Sequence, residues 1–221
     1  MTAKSLLLIT IDGPAGAGKT TVSQMLAREL GYRYLDTGSL YRSVAFAVRQ
    51  AGISPNDDQQ LGVVCKALQL SIEEDRLLSN GVDISAHIRS PEITMLASTV
   101  SARPAVREAL LDIQRKMGRA KGLVAEGRDM GTVVFPDADL KFFLDATVRQ
   151  RALRRFTQYG QANEQTYEQI EHDIRRRDEN DRNREVAPLK PAKDAVRIDS
   201  TAMTAKQVVV RMMAHVHQLG G

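Results

Sequence analysis

Leu6 to Leu30 reads LLLITIDGPAGAGKTTVSQMLAREL. Its first six residues are continuously apolar and short, as a fully buried parallel strand is. A glycine-rich turn follows, and then a helix from Thr20 to Leu30 with Val22, Leu26 and Leu30 on one face, stopped by Gly31. The turn itself, Gly13, Pro14, Ala15, Gly16, Ala17, Gly18, Lys19 and Thr20, satisfies G-x-x-x-x-G-K-[ST] in full and in the strand–turn–helix context that this motif needs. Glycines allow successive N–H groups to converge on an anion, and the helix N-terminus adds a positive partial charge. Lys19 can reach β- and γ-phosphates, and the Thr20 hydroxyl can ligate Mg2+. The motif therefore predicts binding of a nucleoside triphosphate such as ATP, without fixing the reaction.

Working outward, Tyr32 to Leu35 reads as a second strand, and Ser39 is the expected N-cap of a helix to about Gln50 with Leu40, Val44 and Val48 on its stripe. This alternation predicts an α/β fold with a parallel sheet. The pattern breaks between about Ala67 and Arg89, where alternating apolar residues surround Asn80-Gly81, as in an antiparallel hairpin. Two helices, each with a proline in its first turn, are expected over Pro91–Ser101 and Pro104–Met117. Strands at Leu123–Ala125, Leu140–Leu144 and Val196–Ile198 and helices at Val148–Gln158, Gln165–Asn180 and Thr204–Gln218 complete the pattern, with a break at Gly160–Asn163. The expected architecture is a P-loop NTPase fold with a parallel sheet of about five strands flanked by helices. A single domain is expected, with a core (about 1–66, 118–158 and 186–221), a small antiparallel insert (about 67–117) and a helical lid (about 159–185).

Composition narrows the chemistry. The 221 residues carry 31 cations against 27 anions, a mild excess that suits anionic ligands without requiring nucleic acid or membrane. Arginines number 22 and lysines 9, which favours two-point contacts with phosphate or carboxylate. Trp is absent and aromatics make up 5%, so base-stacking platforms for nucleic acid are not expected. A lone cysteine, Cys65, excludes an internal disulfide, and no stretch approaches the roughly 20 apolar residues of a membrane helix. A soluble cytoplasmic protein is expected. Asn-Lys-x-Asp is missing, which argues against a guanine-reading switch, and the length leaves no room for motor or helicase accessory domains. A small kinase remains.

Three further constellations could hold an acceptor. Asp36-Thr37-Gly38-Ser39-Leu40-Tyr41-Arg42 lies at the carboxyl end of the second strand, where open α/β sheets bind ligands, although a plain strand-to-helix turn capped by Asp36 and Ser39 explains it equally well. Glu126-Gly127-Arg128-Asp129-Met130-Gly131 repeats the arrangement after the next strand. In Arg175–Arg184 (RRRDENDRNR), Arg177, Asp181 and Arg184 fall at i, i+4 and i+7, on the stripe that Ile170 and Ile174 begin. Arginines facing a cleft need anionic partners. From Arg149 to Arg184 there are nine arginines and seven acids, a balance that fits an ionic lid better than a polyanion-binding stripe.

With these residues in place the chain resembles the bacterial cytidylate kinases, a branch of the P-loop nucleoside monophosphate kinases. The likeness rests on Gly13–Thr20, Asp36–Arg42, Ala97-Ser98, Val106-Arg107-Glu108, Arg177–Arg184 and above all GRDMGTVVFPDA, Gly127–Ala138, in family order. It implies transfer of the γ-phosphoryl group of ATP, with Mg2+, to CMP or dCMP by a monomer. It also implies that Ser98, Arg107 and Asp129 contact the cytosine, and that Arg177 and Asp181 contact the ribose. Arg42, Arg128 and Arg184 would hold the CMP phosphate, with Asp36 and Thr37 beside it. Arg182 would reach the ATP phosphates, so that Lys19, Arg128, Arg182 and Arg184 form the catalytic charge set. A kinase of another nucleoside monophosphate (UMP, AMP) or of a small alcohol is the alternative that the residues leave open, and a nucleotide-dependent nucleic-acid binder is a weaker one.

Overall fold

The structure, a computed structural model, describes residues 6–73, 76–159 and 165–219. The break expected at Gly160–Asn163 lies outside these residues. In chain order the elements are β1 (Leu8–Asp12), α1 (Lys19–Leu30), β2 (Arg33–Asp36), α2 (Thr37–Gln50), α3 (Asp58–Ala67), β3 (Leu70–Glu73), β4 (Arg76–Ser79), β5 (Val82–Asp83), α4 (Pro91–Val100), α5 (Pro104–Gly118), β6 (Leu123–Gly127), β7 (Leu140–Asp145), α6 (Val148–Tyr159), α7 (Tyr167–Asn183), β8 (Val196–Asp199) and α8 (Ala205–Leu219). A single π-helical turn covers Met130–Val134. The chain divides into two compact units, Met1–Leu35 with Gly118–Gly221, and Asp36–Met117.

The first unit is built on a five-stranded sheet ordered β2-β6-β1-β7-β8. β1 pairs in parallel with β6 (Leu8 opposite Leu123) and with β7 (Ile9 opposite Leu140), and β7 pairs in parallel with β8. β1 and β6 are buried along their whole length, which explains why both are apolar apart from Thr10, Asp12 and Glu126. Ile9, Ile11, Val124, Phe142, Leu144 and Ile198 of the sheet pack with Val22 and Leu26 of α1 and with Val208 and Met212 of α8. The switch in strand order lies at β1, so its carboxyl end is where a ligand crevice opens. Gly31 ends α1 in the left-handed conformation (φ 66°), its N–H bonded to the Ala27 and Arg28 carbonyls.

The second unit holds α2, α3, α4 and α5 with the three-stranded antiparallel sheet β3-β4-β5. β4 and β5 are joined at Asn80 (φ 50°) and Gly81 (φ 78°), the paired positive angles that a tight hairpin turn requires. Residues 36–66, expected with the core, group instead with 67–117, because α2 packs on α4 and α3. The N-cap of α2 is Asp36 rather than Ser39: its carboxylate accepts the Ser39 N–H at 3.2 Å, which moves the helix start back to Thr37. α3 was not anticipated, since only Leu61 and Cys65 of its ten residues are buried.

Candidate active site

The phosphate loop leaves β1 at Gly13, whose missing Cβ makes room for the Leu144 carbonyl of β7. Gly16 (φ 77°) and Gly18 (φ 96°) alternate left-handed backbone with ordinary backbone along the loop, the geometry that turns N–H groups toward one point. Lys19 is buried, and its Nζ donates to the Gly13 and Pro14 carbonyls at 2.7 and 2.8 Å. Burial, then the Arg128 charge, lowers its pKa to about 7 against the pull of Glu126, Asp12 and Asp181. Thr20 is exposed on the first turn of α1.

The last residue of β1 serves a second loop. Asp12 Oδ1 accepts the Met130 N–H and Oδ2 the Gly131 N–H, both at 2.8 Å, which opens the π-helical turn after β6. Gly131 has no spare room, since a Cβ there would meet Thr10 Oγ1 at 3.1 Å and Lys141 Cδ at 3.2 Å. Desolvation raises Asp12 to about 6, the two N–H donors and Lys19 pull it down, and Asp129 adds to the rise. This carboxylate thus fixes the backbone that presents Arg128 and Asp129, a role that sequence reasoning missed. Glu126, also buried, accepts a hydrogen bond from the Tyr34 hydroxyl.

The helix α7 begins with a capping box, Thr166 with Gln169, and buries Ile170, Ile174, Asp178 and Asp181. The expected apolar-to-ionic stripe is present, with Asp178 as a member that the sequence reading left out. Asp181 Oδ2 accepts from Arg128 Nε at 2.8 Å. Burial pushes the Asp181 carboxyl upward, but the Arg128 guanidinium, its hydrogen bond, Arg184 and Arg177 together hold it below the ordinary aspartate value. Arg184 lies just past the helix end as its C-cap, not on the helical face, and its Nε donates to the Ala187 carbonyl at 2.5 Å. Its Nη2 lies 3.5 Å from Asp129 Oδ1. Arg128, Asp129, Asp181 and Arg184 therefore form one cluster with Lys19 and Asp12 nearby. Arg182 is exposed, and its guanidinium comes within 3.9 Å of Asp178.

The second unit carries its own group. Arg42 Nη2 pairs with Asp36 Oδ2 at 2.7 Å. A Cβ at Gly38 would sit 3.0 Å from both partners, so this position keeps the pair close. Thr37 is buried beside them. The buried Arg107 guanidinium lies 5.9 Å from the Tyr41 ring centroid and donates to the Ser101 carbonyl at 3.3 Å. Ser101, the C-cap of α4, donates its Oγ to the Ser98 carbonyl at 2.9 Å, so the Arg107 bond ties α5 to the end of α4. Ser101 was not singled out in the sequence, because its contribution here is chiefly through its backbone.

The cytidylate kinase family model matches residues 9–218. The chain is 50% identical over 208 residues to a cytidylate kinase from Saccharophagus degradans, covering 91% of this chain and 93% of the relative. It is 46% identical over 217 residues to one from Citrifermentans bemidjiense (96% and 93%). Among solved structures, a shikimate kinase from Bacteroides thetaiotaomicron superposes with a TM-score of 0.52 at 13% identity, over 96% of this chain and 99% of that one, a likeness of fold alone. The phosphate loop, the capped turn after β6 and the ionic end of α7 are thus found in a chain that belongs to the cytidylate kinase family.

Proposed function

We propose that the protein transfers the γ-phosphoryl group of ATP to the phosphate of CMP or dCMP. The observation that carries this reading is the shared strand end: β1 launches the phosphate loop at Gly13, and its last residue, Asp12, caps the turn that presents Arg128 and Asp129. A donor phosphate on the loop N–H groups and an acceptor phosphate at Arg128 would then be set by one rigid strand. The acceptor oxygen is already anionic, so no general base is required, and positioning with charge neutralisation suffices. Among the described residues no histidine joins the cluster: His87 stacks on Phe46, and His215 lies against the edge of Phe142.

Lys19 and Arg128 would draw the two phosphates together against their repulsion. Arg184 would add charge beside Asp129, and Arg182, exposed on α7, would approach from solvent. By the family resemblance, Arg42, Asp36 and Thr37 are assigned to the acceptor phosphate, Arg107, Ser98 and Asp129 to the base, and Asp181 and Arg177 to the ribose. Thr20 would hold Mg2+, a hard ion that uses few protein oxygens and binds mainly through phosphates and water, where it neutralises phosphate charge. No helix among the described residues is long and apolar enough to cross a membrane, and a cytoplasmic monomer belongs to the same reading. A coupled ADP-release assay with CMP, dCMP, UMP, AMP, GMP and shikimate tests it. Turnover confined to CMP and dCMP is expected, and preference for another acceptor would replace the assignment.

A further inference from the structure

Arg151, in the first turn of α6, is the largest fully buried side chain among the described residues, at 1% exposure. Its guanidinium makes four hydrogen bonds: Nε donates to the Ala146 carbonyl at 2.8 Å, Nη1 to the Ala15 carbonyl and to Asp178 Oδ1 at 3.0 Å, and Nη2 to Asp178 Oδ2 at 2.6 Å. One turn later, Arg154 Nη1 donates to the Ala17 carbonyl at 3.1 Å, and its Nη2 to the Ser200 carbonyl at 2.6 Å. Two arginines of one helix thus take hold of alternate carbonyls of the phosphate loop.

A trans peptide is planar, with its C=O and N–H pointing in opposite directions. Holding the Ala15 carbonyl toward α6 aims the Gly16 N–H the other way, and holding the Ala17 carbonyl does the same for the Gly18 N–H. The positive φ angles at Gly16 and Gly18 are the ones that such alternation needs. A Cβ on Gly16 would come within 3.1 Å of Arg151 Cβ, so the loop rests directly against this helix. We infer that Arg151 is a positioning residue: it orients the loop's N–H groups toward the anion and, through Asp178, ties that orientation to α7, the helix that carries Asp181. The inference rests on the reading that this loop takes the phosphates of ATP.

The test measures ATP affinity directly by titration calorimetry with Mg2+, alongside steady-state KM values and thermal unfolding. Arg151→Met should raise the ATP Kd at least tenfold while the CMP KM at saturating ATP stays within about threefold. Because this substitution strands the Asp178 charge, the deciding variant is R151M/D178L, since apolar replacement of a whole buried pair is often neutral for stability. Wild-type unfolding with an ATP Kd still raised tenfold supports the inference. Wild-type unfolding with wild-type ATP affinity overturns it, leaving the pair as packing only. If the double variant does not fold, Arg151→Lys decides by the same comparison: an intermediate Kd at unchanged stability supports the inference, and an unchanged Kd overturns it. The binding arm needs no acceptor, so a wild type that binds ATP but ignores CMP refutes the functional reading separately, and one that does not bind ATP refutes both.

Discussion

Arg128 Nε and Asp181 Oδ2 are hydrogen-bonded at 2.8 Å across 53 residues of sequence, so a group proposed for the phosphate and a group proposed for the ribose are each other's partners. Asp181→Ala deletes the acceptor and leaves a partly buried guanidinium without it. We expect the KM to rise for both CMP and dCMP, with the CMP:dCMP preference changing by up to roughly tenfold, about one charged hydrogen bond, because only CMP offers a 2′-hydroxyl. Parallel kinetics with the two substrates check this, and an unchanged ratio would reduce Asp181 to a partner of Arg128.

Lys19→Met should remove at least ~3 kcal/mol of transition-state stabilisation, about 10²-fold in kcat, because a positive charge is lost at the transferred group. Lys19 is buried and bonded to two loop carbonyls, so some stability is expected to go with it. Circular dichroism of the variant beside its turnover separates the two effects. Near-normal turnover by the folded variant would end the loop assignment.

The pH dependence of stability should show two opposed windows. Lys19 has a folded pKa of about 7, below its ordinary 10.5, so between these values the unfolded chain binds more protons and rising pH favours the fold. Relative to Lys19→Met, the wild type should gain up to ~1.4 kcal/mol per pH unit there. Asp12, raised from 3.8 to about 6, behaves oppositely: its contribution is complete below 3.8 and is lost as pH rises through 6. Denaturant unfolding of wild type, Lys19→Met and Asp12→Asn across pH 4 to 10 measures both, and superimposable profiles would contradict both shifts.

In the second unit, Arg107→Met or Ser98→Ala should weaken CMP by roughly 1–3 kcal/mol while ATP affinity stays nearly unchanged. Equal losses for both nucleotides would make the Arg107–Ser101–Ser98 link structural.

Two glycines offer a steric comparison. Gly13→Ala forces a methyl into the Leu144 carbonyl, which is held within β7, and should cost several kcal/mol or prevent folding. Gly52 has φ 65° but open space around it, so Gly52→Ala should cost only the ~1 kcal/mol of a left-handed backbone. Thermal unfolding of the pair provides the measurement.

The phosphate loop and its flanking elements were legible because their signals are local: a turn that needs glycine, a strand that needs unbroken apolar residues and a helix with one stripe. Asn80-Gly81 was legible for the same reason. Asp12 was not, because its partners lie 118 and 119 residues away and the π-helical turn that it opens has no sequence signal of its own. Arg151 was hidden among the nine arginines from Arg149 to Arg184, which read together as an ionic lid. Its neighbour Ala152, also fully buried, marked the inward side of that helix. Asp178 could have been found, since it follows Ile174 by four residues on the same stripe.

The two bonds from Lys19 to the Gly13 and Pro14 carbonyls have a consequence for the loop as a whole. Gly13 follows the last residue of β1 and Lys19 is the first residue of α1, so these bonds close the loop into a ring stapled at its neck. Shortening the lysine would therefore unclasp the strand from the helix as well as remove a charge.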